Sequence, residues 1–323
     1  MASSTHKAEV VPVVLEPHPN ADRLSIVKIY GGGYQVVVRT EDWIGKDRGV
    51  YIPPDNVVPD TPEFAFLKGE RRIKARRLRG QWSAGLLVPA PPGAQIGEDM
   101  TQVLGIVHYE PPEPNPRLGG KCEQAPPGHY PVYDVESFRK YGRSVFEPGE
   151  MVVVTEKIHG TNGRWVYVDG RFRAGSRTTW KSEADDVVWW KALRQYPALQ
   201  DFLRANPGTA VYGEVYGWVQ DLRYGAKPGQ VHIAVFDIWH NGQWVDAKDL
   251  YSFGGPDLPW VPIVDCCPMD YDRMLALAEG NTLIPGANHC REGIVIKPMQ
   301  ERWHPECERV ILKVVSNTYL ERA

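Results

Sequence analysis

The stretch Thr155-Glu156-Lys157-Ile158-His159-Gly160-Thr161-Asn162 closes an apolar run, Met151–Ile158, that reads as a β-strand ending on a lysine. Gly160 follows three residues later, so the backbone can turn tightly there and approach a ligand. A lysine held among other cations has a lowered pKa and can act as a nucleophile through its neutral amine. Alone, such a run is an ordinary strand-to-loop lysine. Its companions are Ser176-Arg177-Thr178, Tyr212-Gly213-Glu214-Val215, Ala234-Val235-Phe236-Asp237-Ile238, Arg291-Glu292-Gly293-Ile294-Val295-Ile296-Lys297-Pro298 and Ile311-Leu312-Lys313. Successive strands that each carry a charged residue inside or beside an apolar run are unlike surface strands. Buried charges need partners, and a triphosphate with a divalent ion supplies both signs.

This set of segments, from about Tyr130 to the end, resembles the covalent nucleotidyltransferases (ATP-dependent ligases and capping enzymes) and within them the RNA ligases. DNA ligases and capping enzymes usually carry K-x-D-G, whereas nick-sealing RNA ligases carry E-K-x-H-G-[TA]-N, the form present at Glu156–Asn162. The resemblance implies that Lys157 attacks the α-phosphate of ATP and becomes lysyl-AMP. It implies that Glu214 holds the ribose, that Phe236 stacks on adenine and that Val295 covers the other face. Glu292 would organise Mg²⁺ or Mn²⁺, partly through water, while Lys297 and Lys313 contact the α-phosphate. Glu156, Ile158 and Arg177 fall with the nucleotide-binding residues. Asn162 and Arg177 correspond to residues near the nick and its 5′-phosphate, with Arg173 a competitor for the latter role. Many related ligases end on K-x-K, but Lys313-Val314-Val315 lacks the second lysine, whose role is either absent or taken up elsewhere, with Lys297 a candidate. His159 is expected to be a positioning or motif-defining residue.

The amino-terminal half reads as short β-runs, Ala8–Leu15, Leu24–Tyr30, Gln35–Arg39, Gly49–Ile52 and Gly85–Val88, at spacings that suit a small barrel. Between the last two lies the basic run from Lys68 to Arg79, in which Arg71, Arg72, Lys74, Arg76 and Arg77 are candidate nucleic-acid contacts. His18-Pro19-Asn20-Ala21-Asp22-Arg23-Leu24 and Lys74–Leu87 resemble OB-fold tRNA-binding modules. Val38-Arg39-Thr40-Glu41-Asp42-Trp43 departs from that family's loop. An OB barrel ahead of a K-x-H-G domain is similar to the Deinococcus-type RNA ligases. The expected organisation is an OB-fold nucleic-acid-binding domain at 1–110, a proline-rich linker at 111–129 and an adenylyltransferase domain at 130–323. No accessory domain is expected after it.

The catalytic half is expected to be α+β: antiparallel sheets flanked by helices. Asp169-Gly170 and Asn241-Gly242 predict hairpin turns. Ser182-Glu-Ala-Asp185 resembles a capping box opening a helix through Leu193, and Pro197 and Asp270 each start another. Arg309–Val315 reads as the last strand.

Composition narrows the classes. With 31 glycines and 28 prolines in 323 residues, many turns and strands are expected rather than a helical bundle. A net charge of −3 requires any nucleic-acid binding to come from local basic patches. The five cysteines form no C-x-x-C pair, which argues for a reducing, intracellular (cytoplasmic) setting and against a disulfide framework or a cysteine-rich zinc site. No apolar run is long enough to span a membrane. The expected partner is nicked duplex nucleic acid containing RNA, bound by a monomer. A DNA ligase, another covalent nucleotidyltransferase, or a catalytically silent RNA-binding relic are the alternatives. His159 in place of aspartate speaks against the first two, and the intact Lys157, Glu214, Glu292 and Lys313 against the last.

Overall fold

The computed structural model describes residues 6–109 and 120–322. The proline-rich run expected as part of the linker falls mostly outside them. One compact unit holds the described residues up to 109 together with 136–143 and 317–322; the other holds 120–135 and 144–316. Both units are discontinuous along the chain, where the sequence reading divides it once.

The amino-terminal unit is a small barrel of antiparallel ladders. Strands β1 (Glu9–Pro12), β5 (Arg48–Ile52) and β9 (Leu86–Pro89) form one, and β2 (Leu15–Pro17), β3 (Leu24–Ile29) and β4 (Tyr34–Arg39) another. Shorter pairs are β6 (Asn56–Val57) with β10 (Val107–His108), and β7 (Ala75–Leu78) with β8 (Gln81–Ala84). Inward residues of alternating strands, among them Val10, Val27, Val36, Val50 and Ile52, fill the interior. The His18-Pro19-Asn20 segment has a structural task. The buried His18 ring accepts the Asn20 N–H at Nδ1 (3.0 Å), so Nε2 carries the proton donated to Leu78 O (3.2 Å). Asn20 Nδ2 donates to Arg79 O at 2.9 Å, and together these bonds pin the β7–β8 turn. Segment 136–143, with the short strand β12 (Glu136–Ser137), joins this unit through Lys140, whose ammonium lies 2.6 Å from Glu9. Arg139 donates to Gly33 O (3.1 Å) and to Asn317 Oδ1 (2.8 Å), which ties in the helix Asn317–Arg322.

The larger unit contains two antiparallel sheets. The first runs β20 (Ile263–Pro268), β13 (Met151–Lys157), β21 (Gly293–Pro298), β24 (Leu312–Val315). The second runs β11 (Cys122–Glu123), β16 (Trp180–Lys181), β15 (Arg171–Gly175), β14 (Thr161–Val168), β17 (Ala210–Gly217), β18 (Val231–His240), β19 (Gln243–Trp244). One face of this second sheet buries Trp165, Val211, Val215 and Ile233 against the helices Val188–Arg194 and Pro197–Ala205. The fold is the α+β architecture expected. Asp169-Gly170 and Asn241-Gly242 turn their hairpins with positive φ at both residues (52° and 73°, 50° and 78°). Asp270 caps the helix Tyr271–Leu277 by accepting the Arg273 N–H.

Three expectations are corrected. The helix placed after Ser182 begins only at Val188, with no side-chain cap, because the Ser182 N–H is bonded to Lys121 O and prolongs the sheet. Arg309–Val315 is not one strand: Val310 N–H bonds to Arg302 O, and the ladder with β21 starts at Leu312. Strand β20, absent from the sequence reading, pairs with β13 through a register shift. Among the described residues, no helix is long and apolar enough to cross a membrane. All five cysteines are unpaired.

Candidate nucleotidyl-transfer site

The K-x-H-G run is where the chain passes from one sheet to the other: Lys157 is the last residue of β13 and Thr161 the first of β14. The crossing is tight enough to exclude a side chain at Gly160, where a Cβ would lie 2.2 Å from Val215 O and 3.0 Å from Glu214 Cγ. Gly293 is equally constrained, since a Cβ there would lie 1.9 Å from Val314 O. Both motif glycines therefore answer to close backbone approach between neighbouring strands.

That closeness gathers charge. Lys157 Nζ donates to Glu292 Oε1 at 2.7 Å, linking residues 135 positions apart. Glu214 faces the same place and accepts the Gly160 N–H; burial pushes its carboxyl up to about 8, Lys157 opposing and Glu292 reinforcing the rise. Glu292 Oε2 is buried and accepts no hydrogen bond, and His159 Nδ1 lies 3.8 Å from it. Two crowded carboxylates, one with an orphaned oxygen, fit a divalent cation. No three His, Cys, Asp or Glu side chains among the described residues are grouped to hold such an ion alone.

A second charged group lies on β18 and β21. The fully buried Asp237 carboxylate receives Tyr133 Oη (2.8 Å), Lys297 Nζ (2.8 Å) and Arg309 Nη2 (2.7 Å), all at Oδ2. Burial pushes the Asp237 carboxyl up, but Arg309 and Lys297 overrule it and hold it below its usual range. Burial also pulls the Lys297 ammonium down, and the repulsion of Arg309 adds to this against the attraction of Asp237. Arg309 has Glu301 as a second carboxylate (2.7 Å), whereas Lys297 has an ion pair to the shared Asp237 alone, so Asp237 stays ionised and Lys297 is the less compensated of the two cations. Lys297 is thus prepared for a second anion.

The remaining expected site residues divide by strand face. Val153, Thr155 and Lys157 alternate to one face of β13, and Val295 and Lys313 stand opposite each other on β21 and β24. Val153, Thr155, Phe236, Trp260, Cys266 and Lys297 line a cavity of about 300 Å³. Val295 and Phe236 both pack against the Tyr133–Tyr212 cluster, Phe236 lying 4.6 Å from Tyr133 ring to ring. Asn162 lies opposite Glu214 in the β14–β17 ladder, and its buried Oδ1 has no partner. Glu156 projects to the other face of β13, where Oε2 accepts the Leu283 N–H (2.6 Å) and burial raises its pKa. Ile158 is buried. Arg177 pairs with Asp134 beyond the end of β15. Its competitor Arg173 is buried against Glu123 at 3.0 Å.

Sequence reading missed Asp237 as a site residue, although a lone aspartate inside an apolar strand was the available signal. It also missed Tyr133, Asp221 and Tyr224, which come from loops with no distinguishing pattern, and Arg309, which lies in the two-residue strand Glu308–Arg309. His159 Nε2 donates to Asp221 Oδ1 at 2.7 Å, and its backbone N–H donates to Tyr224 Oη at 2.8 Å.

Residues 150–315, more than half of the chain, match the RNA ligase family. The chain belongs to the RNA ligase family. Residues 9–90 of this ligase-family chain match an OB-fold domain. Its fold is shared with Naegleria gruberi RNA ligase. A variant of that protein with ATP and Mn is 23% identical at a TM-score of 0.84, covering 98% of both chains. A second variant, without ligand, is 24% identical at 0.84 over 99% of each. Among curated proteins, Protein Early 65 kDa of Autographa californica nuclear polyhedrosis virus is 24% identical over 134 residues, which is 41% of this chain and only 24% of the viral protein's length.

The basic run belongs to the barrel. Arg72 is committed to Asp55 (2.7 Å) and lies 3.8 Å over the Tyr109 ring; Arg76 pairs with Glu70 and Arg77 with Glu321 (2.9 Å). Arg71 is exposed and Lys74 half-buried. Much of the charge expected for nucleic acid is therefore balanced by acidic neighbours within the barrel.

Proposed function

We propose that this protein is an ATP-dependent RNA ligase of the Deinococcus type that seals 5′-phosphate/3′-hydroxyl nicks in duplexes whose 3′-hydroxyl strand is RNA, in RNA or RNA–DNA repair. The observation that carries this reading is the Lys157–Glu292 contact at 2.7 Å, placed at the inter-sheet crossing beside Glu214. The neutral Lys157 amine attacks the α-phosphate of ATP, a P–N bond forms, and pyrophosphate leaves. AMP then passes to the 5′-phosphate of the nick and frees Lys157. Attack by the 3′-hydroxyl makes the phosphodiester and releases AMP. Mg²⁺ or Mn²⁺ held by Glu292 would supply positive charge that favours the neutral amine.

The chain's own residues do the rest. Glu214 accepts hydrogen bonds from the ribose hydroxyls, Phe236 and Val295 enclose adenine, and Lys297 and Lys313 neutralise charge at the α-phosphate. The buried Lys297 ammonium, which shares its one carboxylate partner Asp237 with Arg309, supports this role. Asn162, whose Oδ1 lacks a partner, and Arg177 act near the 5′-phosphate. Glu156, on β13, and Ile158, just past its end, flank the nucleophile and serve the nucleotide through the position they give it. The barrel, residues 1–110, binds the duplex through Arg71, Lys74, Arg76 and Arg77, and 130–323 carries the chemistry. The protein acts as a monomer in a reducing compartment, where five free thiols persist. Incubation with labelled ATP and Mg²⁺ should label the protein covalently, and labelled GTP should not. A panel of nicks with each strand made as RNA or DNA then reads the substrate. Protein that stays unlabelled with ATP refutes the proposal.

A further inference from the structure

We infer that Asp221 and Tyr224, in the loop between β17 and β18, are positioning residues for the nucleophile; the inference rests on the adenylylation reading above. Lys157 is followed by a turn that must hold its ammonium against Glu292 while crossing between two sheets. Residues on both sides of Lys157 are anchored to segments outside its own strand. On the amino-terminal side, Glu156 Oε2 accepts the Leu283 N–H at 2.6 Å. On the carboxy-terminal side, His159 is anchored twice, by its ring to Asp221 (2.7 Å) and by its backbone N–H to Tyr224 Oη (2.8 Å).

The anchoring loop is itself built at a cost. Tyr224 has φ 52°, the left-handed region that an aromatic residue rarely adopts, and Gly225 follows at φ 75°. A Cβ on Gly225 would lie 2.8 Å from Gly286 O, so the turn is pressed against the 283–289 segment that also receives Glu156. The Tyr224 ring is 4% exposed and packs edge-on against Tyr216 (5.1 Å) and His289 (4.6 Å). Those ring contacts would be satisfied equally by phenylalanine. The hydroxyl is what reaches the crossing, and it meets a backbone N–H that no sheet ladder can take. Asp221 is 64% exposed at its side chain, and its carboxylate accepts from the motif histidine. Glu156, Asp221 and Tyr224 thus set where the strand ends, and so where the Lys157 amine stands relative to an incoming phosphate.

The test measures the rate of covalent AMP transfer in single-turnover assays, the ATP concentration for half-maximal rate, the melting temperature, and joining of a pre-adenylylated nick. Tyr224→Phe and Asp221→Ala should each slow AMP transfer at saturating ATP about ten-fold or more, since small misplacements of a nucleophile cost up to about a hundred-fold. The half-maximal ATP concentration and joining of the pre-adenylylated nick should stay as in the unaltered protein, because neither needs the Lys157 attack geometry. Asp221→Asn, which keeps a hydrogen-bond acceptor, should recover most of the rate. In a His159→Ala background, Asp221→Ala should add no further loss. Wild-type rates in Asp221→Ala would overturn the inference, as would an equal loss in both chemical steps or an undiminished effect in the His159→Ala background. The exposed Asp221 keeps these outcomes readable even if Tyr224→Phe melts early. A wild-type protein that takes no label would instead overturn the ligase reading.

Discussion

Asp237→Asn should be among the most damaging single-atom exchanges in the larger unit, and the structure says why. Oδ2 accepts from Tyr133, Lys297 and Arg309, whereas Oδ1 accepts the Ile238 N–H at 3.0 Å. An asparagine must turn its NH₂ either toward those three donors or toward the Ile238 N–H, so neither amide orientation is satisfied. Arg309 keeps Glu301, with contacts of 2.7 Å from both Nε and Nη2. Among the described residues Lys297 keeps Phe236 O at 3.3 Å and becomes a buried ammonium without a paired carboxylate. Removing one side of a buried ion pair costs about 3–5 kcal/mol. With a urea dependence of roughly 3 kcal/mol per M, the unfolding midpoint should fall by more than about 1 M. The penalty should shrink between neutral pH and pH 10. A lysine whose folded pKa is lowered binds fewer protons folded than unfolded, so stability rises with pH across that window, whereas Arg309 does not titrate there. Lys297→Met in the Asp237→Asn background should restore part of the loss. Urea unfolding at pH 7 and pH 9.5 checks this. A midpoint shift under about 0.3 M, or no recovery on removing Lys297, would refute the two-cation account.

Lys157→Ala should abolish covalent AMP formation and sealing of a 5′-phosphate nick yet still join a pre-adenylylated nick, as read by labelled protein and gel-resolved product. Glu292→Ala and Glu292→Gln should fail alike if the residue organises the metal, with partial rescue by excess Mg²⁺ or Mn²⁺; an unchanged metal dependence would remove it from that role. Glu214→Gln should stabilise the nucleotide-free and metal-free protein above pH 8 and leave it unchanged near pH 4. The reason is that an acid raised from 4.5 to about 8 on folding loses stability as pH climbs through that window; thermal melts at both pH values decide it. Replacing Arg71, Arg76 and Arg77 by alanine should weaken nick binding and flatten its salt dependence by about one unit of slope per lost phosphate contact, whereas Arg72→Ala should act mainly on barrel stability.

What was legible in the sequence is local. Alternating apolar residues placed β3, β4 and β13 within a residue or two, and Asp169-Gly170 and Asn241-Gly242 named their turns, because the side-chain period and the left-handed φ are properties of neighbouring residues. The E-K-x-H-G-T-N run and the order of the later segments were enough for the family, since motif identity survives without coordinates. What depends on distance in space was not legible. Ser182 looks like a helix cap until its N–H is seen to be taken by Lys121, a partner 61 positions back. Likewise, Arg72, Arg76 and Arg77 read as free positive charge until Asp55, Glu70 and Glu321 are seen beside them. The sequence alone singled out Lys157 as the candidate nucleophile and the kind of sheet that carries it. Only the tertiary structure decided that Lys157 meets Glu292, that Asp237 binds two cations and that Asp221 and Tyr224 hold His159. Hydrogen bonds and ion pairs act over about 3 Å regardless of separation along the chain, and no local pattern records which distant groups folding brings within that reach.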